Sequence, residues 1–388
     1  MKKLFLTLFL CFALAGCTTA TTTSTTTSAR ETTGLPNGLE PLEAVSDCDV
    51  PTLEGGWVCI WADEFSGDAV DETKWTFEVN GDGGGNNELQ YYIRNNATVA
   101  DGLLSITAKQ ESYGGKLYTS SRLNTKYKAS FQYVKIRFRA RMPAGRGTWP
   151  AIWMMPLLSA YGGWPNSGEI DMMEYVGYNP DTVYTTLHTK IYNGQKGNMI
   201  GYSKAVADLE EAFHEFEFTW TPGHMDMQVD GMTYAQFNYV PGLSRDYKYN
   251  EVWPFDTPFF LIVNLAVGGN WGGAQGVDVS AFPTTLSVDY LRVYKRDYAT
   301  LDTEVPEAPQ DLEPANVANT IYWDPSADDC GVESYQVFVN GVFKTSTTIN
   351  QVTLTGLVAG QTYDIRVRAV DFVGRVSPDS NILSFTAD

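Results

Sequence analysis

Alternation with a period of two dominates this chain from about Trp57 to Tyr298, and few folds can accommodate it. In Tyr133–Arg141, Val134, Ile136, Phe138 and Ala140 alternate with Lys135, Arg137, Arg139 and Arg141, the signature of a strand with one buried and one wet face. The same pattern returns at Leu104–Ala108 and Glu215–Trp220. Met225–Tyr234 contains Asp230-Gly231, a dipeptide suited to a tight hairpin. Phe259–Val267 is apolar on both parities except at Asn264, so this strand is expected to be covered on both faces. Long runs at helical spacing are absent. Many antiparallel strands joined by Gly-rich turns predict an all-β fold over 46–299, two stacked sheets forming an antiparallel β-sandwich of the jelly-roll kind.

A second unit is expected over 305–388, after Pro306-Glu307-Ala308-Pro309. Ile321–Trp323, Tyr335–Val339, the turn Asn340-Gly341 and Tyr363–Ala369 read as short strands of a small immunoglobulin-like β-sandwich. The N-terminus is of another kind. Lys2 and Lys3 precede an apolar run and Leu14-Ala15-Gly16-Cys17, a secretion signal over 1–17 too short to span a bilayer as a mature helix. Its ending resembles a bacterial lipoprotein box, which implies lipidation of Cys17. Residues 18–45, rich in Thr and Ser at their start, read as a disordered tether. The protein is therefore expected to be exported and held by a lipid anchor alone, in the bacterial outer membrane if the Thr18 that follows the anchor acts as a sorting signal. In that oxidising setting Cys48 and Cys59 can form a disulfide, leaving Cys330 over. No Cys/His spacing resembles a zinc site. A net charge of -19 argues against nucleic acid or an anionic membrane surface as a partner. Neutral substrates stay open, and 10 Trp with 22 Tyr suit stacking on the apolar faces of sugar rings.

Three acids stand close together in Ser167-Gly168-Glu169-Ile170-Asp171-Met172-Met173-Glu174-Tyr175. In a regular strand Glu169 and Asp171 share a face and Glu174 takes the other. A β-bulge at Met172-Met173 returns Glu174 to the side of its companions. Three like charges on one surface raise at least one pKa and stabilise nothing by themselves, so the row points to chemistry more than to a solvated strand face. A retaining glycosidase uses such a pair, a nucleophile and a proton donor about 5 to 5.5 Å apart. The residues alone leave open which acid does which.

The stretch Trp57–Tyr298 resembles glycoside hydrolase family sixteen on its laminarinase (endo-1,3-β-glucanase) branch. The blocks that carry the likeness are Asp63-Glu64-Phe65, Gly85-Asn86-Asn87-Glu88-Leu89-Gln90-Tyr91-Tyr92, Tyr118–Arg122, Trp149-Pro150-Ala151-Ile152-Trp153-Met154, Tyr161-Gly162-Gly163-Trp164-Pro165 and Asn264–Trp271. The resemblance implies Glu169 as nucleophile, Glu174 as acid/base and Asp171 as their assistant, with Met173 as the inserted residue of the bulge. It implies sugar contacts from Asn87, Arg122, Trp149, Trp153, Trp164, His188 and Trp271. It requires no cofactor for catalysis, but implies a structural calcium at Asp289 with backbone oxygens near Glu64 and Gly102. The last unit resembles a fibronectin type III domain through Trp323, Leu357-x-x-Gly360-x-x-Tyr363 and Ala369-Val370-Asp371. The expected activity is retaining endo-hydrolysis of 1,3-β-linkages in laminarin-like glucans, by a monomer. The alternatives are an agar- or carrageenan-cleaving galactan hydrolase of the same fold and a non-catalytic β-glucan-binding protein.

Overall fold

The computed structural model describes residues 48, 50–239 and 246–388. The expected lipid-anchor Cys17 and the tether over 18–45 lie outside these residues. Among the described residues, no helix is long and apolar enough to cross a membrane.

Two antiparallel sheets form the larger unit. One orders Met232–Asn238, His224–Val229, His214–Thr221, Lys135–Arg141, Thr284–Arg296, Leu103–Ala108 and Ala97–Ala100 from edge to edge, and Trp57–Asp63 also pairs with Thr284–Arg296. The other orders Ile200–Ala205, Thr182–His188, Glu169–Tyr175, Thr148–Pro156, Phe259–Val267, Arg122–Asn124 and Thr76–Phe77. The predicted alternation is realised in Lys135–Arg141, where Ile136, Phe138 and Ala140 are buried and their neighbours half-exposed. Phe259–Val267 is buried at every position, as a strand covered on both faces requires. The Asp230-Gly231 hairpin forms with positive φ at both residues, 49° and 74°, which matches the twist of its strands.

Ile106, Ile136, Phe138, Ile152, Met154, Ile170, Phe216, Phe218, Trp220, Val263 and Leu265 belong to one continuous apolar core. Each such side chain contributes about 1.5–3 kcal/mol through its removal from water. Inward side chains alternate with outward ones, so the outward residues of the second sheet are free to build a cleft.

The C-terminal unit has a three-stranded sheet (Gln310–Pro314, Thr320–Asp324, Gln351–Thr353) and a four-stranded one (Val342–Thr347, Val332–Val339, Thr362–Asp371, Leu383–Thr386). Its core holds Trp323, Tyr335, Val337, Ile365 and Val367. It packs closely on the larger unit: Ile349 and Phe372 join the main core, and Tyr298 stacks on Phe372 at a ring separation of 3.8 Å. Cys48 and Cys59 are joined as a disulfide beside the first strand, and Cys330 is free and buried.

Candidate active site

The strand Glu169–Tyr175 is entered through Gly168, whose φ of +87° suits glycine and where a Cβ would press on Phe255 and Pro254 at 2.9 and 3.0 Å. Asp171 then pairs with Thr186 and Glu174 with Tyr184, so Met172 and Met173 together oppose one residue, Thr185. Against the other neighbour Asp171 faces Trp153 and Met173 faces Ile152, which makes Met172, not Met173, the inserted residue on that side. Both methionines are buried in the core, and this apolar anchorage fixes the bulge. Glu174 is thereby returned to the cleft side, where it lines a cavity of about 1150 Å³ together with Glu169.

Register places the remaining side chains in rows. One row crosses the sheet as Arg122, Asn264, Ala151, Glu174 and Tyr184. The small Ala151 leaves room beside Glu174 for the indole of Trp149, whose Nε1 donates to Glu174 Oε1 at 3.0 Å. Thr186 Oγ1 reaches Glu174 Oε2 at 3.5 Å. Glu169 Oε2 accepts a hydrogen bond from Trp164 Nε1 at 2.7 Å. His188 pairs across the strands with Glu169, and its Nε2 lies 3.2 Å from Asp171 Oδ2 and 3.8 Å from Glu169 Oε1. The amide of Gly194 donates to His188 Nδ1 at 3.2 Å, which leaves Nε2 as the ring's donor, facing the acids.

Burial pushes all three carboxyls upward, to about 8 each. For Glu169 and Glu174 the charge of Asp171 adds to this, while His188 and the indole donors act in the opposite sense. Such a row keeps at least one proton among its three carboxyls at neutral pH, which is what general acid catalysis by a carboxyl needs.

Six of the seven expected sugar-contact residues line the cleft: Arg122, Trp149, Trp153, Trp164, His188 and Trp271. Asn87 does not. It is exposed, with its amide donating at 2.9 Å to Oδ1 of Asn270, which lines the cleft together with the adjacent Asn86. Trp271 packs edge-on against Trp149 and Tyr184, with ring separations of 5.5 and 4.9 Å. Trp153 is held by a network that reasoning from sequence missed. Its Nε1 donates to Asn264 Oδ1 at 2.7 Å, Asn264 Nδ2 to Tyr92 Oη at 3.2 Å, and Tyr92 Oη to Glu88 Oε2 at 3.1 Å. The Arg122 guanidinium sits 4.8 Å over the Trp153 ring and pairs with Glu78 at 3.1 Å. The signal for this network was present: Asn264 is the one polar residue in a strand otherwise built for burial.

The calcium site expected at Asp289 is not supported by its side chains. Arg139 Nη1 donates to Asp289 Oδ2 at 2.6 Å, and a guanidinium in that position competes with a divalent cation for the carboxylate.

The family described as Glycosyl hydrolases family 16 matches residues 85–291. A β-glucanase of Rhodothermus marinus is 49% identical over 247 residues, 62% of this chain and 85% of that protein. A glucan endo-1,3-β-glucosidase of Cryptopygus antarcticus is 40% identical, over 61% of this chain and 92% of that protein. The X-ray structure of the laminarinase from Rhodothermus marinus matches with a TM-score of 0.60 at 48% identity, covering 62% of this chain and 97% of that one.

Proposed function

The chain belongs to glycosyl hydrolase family 16, and from that premise we propose that it is an endo-1,3-β-glucanase hydrolysing internal 1,3-β-glucosidic linkages of laminarin-like glucans with retention. The observation that carries the chemistry is the bulge at Met172-Met173, which brings Glu169 and Glu174 to one cleft face, each under an indole donor. Glu169 attacks the anomeric carbon as the bond to the leaving oxygen breaks, and Glu174 gives that oxygen its proton. Water then loses a proton to Glu174 and attacks the same carbon, freeing Glu169. The shorter indole bond and the nearby imidazole favour the ionised form at Glu169, and Asp171 between them shares the load of charge. The indoles of Trp149, Trp153, Trp164 and Trp271 offer faces and edges to neutral sugar rings. The guanidinium lining the cleft, Arg122, is paired with Glu78, which leaves little to attract sulfate and disfavours a sulfated galactan.

Digesting laminarin, lichenan, agarose and carrageenan side by side, with NMR of the first-formed anomer, tests this reading. Internal cleavage of laminarin with β-anomeric product is expected, and faster cleavage of agarose or carrageenan, or an α-anomer, would overturn it.

The same proposal extends to the ends of the chain. Cys17 carries a lipid that holds an exported monomer at the outer membrane, and Cys17→Ser is expected to release the protein into the soluble fraction. The C-terminal unit is a fibronectin type III domain acting as a spacer. This is supported by its three- and four-stranded sheets, the buried Trp323 and the hydrogen bond from the Val358 amide to Tyr363 Oη at 3.0 Å.

A further inference from the structure

Where the two sandwiches meet, four aspartates converge. Asp302 follows the short helix Tyr298–Leu301 of the larger unit, Asp328 and Asp329 lie in the loop before Val332–Val339, and Asp371 ends Thr362–Asp371. Each uses one carboxylate oxygen in an internal hydrogen bond. Asp302 Oδ1 accepts from Arg375 Nη1 at 2.5 Å and Asp328 Oδ2 from the Cys330 amide at 3.0 Å. Asp329 Oδ2 accepts from the Thr303 amide and hydroxyl at 3.1 and 2.8 Å, and Asp371 Oδ1 from the amides of Val373 and Arg375 at 2.9 and 2.8 Å. The second oxygen of each is buried with no hydrogen-bond partner: Asp302 Oδ2, Asp328 Oδ1, Asp329 Oδ1 and Asp371 Oδ2.

Asp302 is only 3% exposed and Asp371 not at all, so water does not readily serve these oxygens. One ligand oxygen from each of Asp302, Asp328 and Asp329 lies within 4.8 Å of the others, close enough for a shared cation whose oxygen ligands sit at about 2.3–2.6 Å. Arg375 offsets part of the charge. Its Nη1 is bonded to Asp302 and stands 3.6 Å from Asp371 Oδ2, leaving four carboxylates against one guanidinium.

We propose that Asp302, Asp328 and Asp329, backed by Asp371, form a calcium site that fastens the C-terminal sandwich to the larger one. All the side-chain donors are hard oxygens, a set that suits calcium better than magnesium, which keeps its waters. The site is separate from the catalytic cleft, so its effect is on the junction and on stability.

The test is a titration of the EDTA-treated full chain with calcium chloride, followed by calorimetry and by thermal unfolding. A one-site isotherm is expected, with a rise in Tm of about 3 °C or more that saturates in the millimolar range typical of extracellular calcium modules. Asp328→Asn is expected to weaken binding at least tenfold, whereas Asp289→Asn and Glu169→Gln leave it unchanged. Absence of both heat and shift in the wild-type chain would overturn the proposal. Survival of binding in Asp302→Asn/Asp328→Asn, or its loss in Glu169→Gln, would do the same, and an equal response to magnesium would overturn the assignment to calcium.

Discussion

Two strands of the larger unit each carry a row of charges on their outer face, and they treat it in opposite ways. On Lys135–Arg141 the cations are answered across the sheet. Glu217 accepts from both Lys135 and Arg137, Asp289 pairs with Arg139, and nearby Arg292 holds Glu64 through two bonds of 2.7 Å. On Glu169–Tyr175 the partners opposite the three acids are His188, Thr186, Trp153, Tyr184 and Ala151, with no lysine or arginine among them. A sandwich that alternates signs on the outer face of one sheet and lines up like signs on the outer face of the other keeps the second arrangement at a cost in stability, and catalysis is what recovers that cost.

The largest effect should come from breaking the like-charged row at its nucleophile. Glu169→Gln is expected to lower kcat on laminarin by on the order of 10^4 or more while the near-UV circular dichroism stays that of the wild type. Activity within tenfold of wild type would remove Glu169 from the mechanism. A smaller loss is expected from Trp164→Phe, which keeps an aromatic face but deletes the 2.7 Å bond to Glu169. A charge-assisted bond of about 1.5–3 kcal/mol corresponds to roughly 10- to 100-fold in rate. That bond holds the Glu169 pKa down, so its loss raises the pKa and moves the acidic limb of kcat/KM to higher pH. An unmoved limb would mean that Trp164 acts only by stacking.

The contrast also divides what was legible in the sequence from what was not. Period-two alternation announced the paired strand Lys135–Arg141 and the sandwich around it, because each residue's face follows from its parity. The acid row was legible through the one place where parity fails: Glu174 falls on the wrong face unless two residues oppose one. Which methionine is inserted depends on the register with Thr148–Pro156, and a single strand's sequence does not contain that register. The bond that ties Asn87, at a φ of 58°, to the cleft-lining Asn270 was not legible either, because the two lie far apart in sequence. Tyr184 and Thr186 were missed because only cross-strand pairing brings them beside the acids. The pairing of Asp289 with Arg139 was hidden likewise: the two are far apart in sequence, and the family pattern suggested a metal where this chain places a cation of its own.

Breaking the paired row should act on stability and spare the chemistry. Glu217→Gln leaves Lys135 and Arg137 side by side at 13% and 30% exposure, and the expected loss is about 1–3 kcal/mol, below the value for a fully buried pair because water screens the arginine. Chemical denaturation measures this, with kcat unchanged at 25 °C. A kcat that falls with stability would couple the two faces of the sandwich.

Relieving the like-charged row should have the opposite sign, and its pH dependence identifies it. Asp171 titrates near 8 in the folded chain because it is buried, against about 3.9 for an unfolded aspartate. Between these values the folded state keeps a proton that the unfolded state has lost, so the stabilisation from this group is complete below about pH 4 and disappears as pH rises through about 8. Asp171→Asn removes that dependence. The variant is expected to match the wild type in Tm near pH 4 and to exceed it increasingly toward pH 8, each kcal/mol of the difference corresponding to roughly 2–4 °C in a domain of this size. Calorimetry at pH 4, 6 and 8 decides the matter. Parallel Tm curves would mean that Asp171 is ionised without penalty in the fold, and the acid row would then be no more strained than the paired row on the opposite sheet.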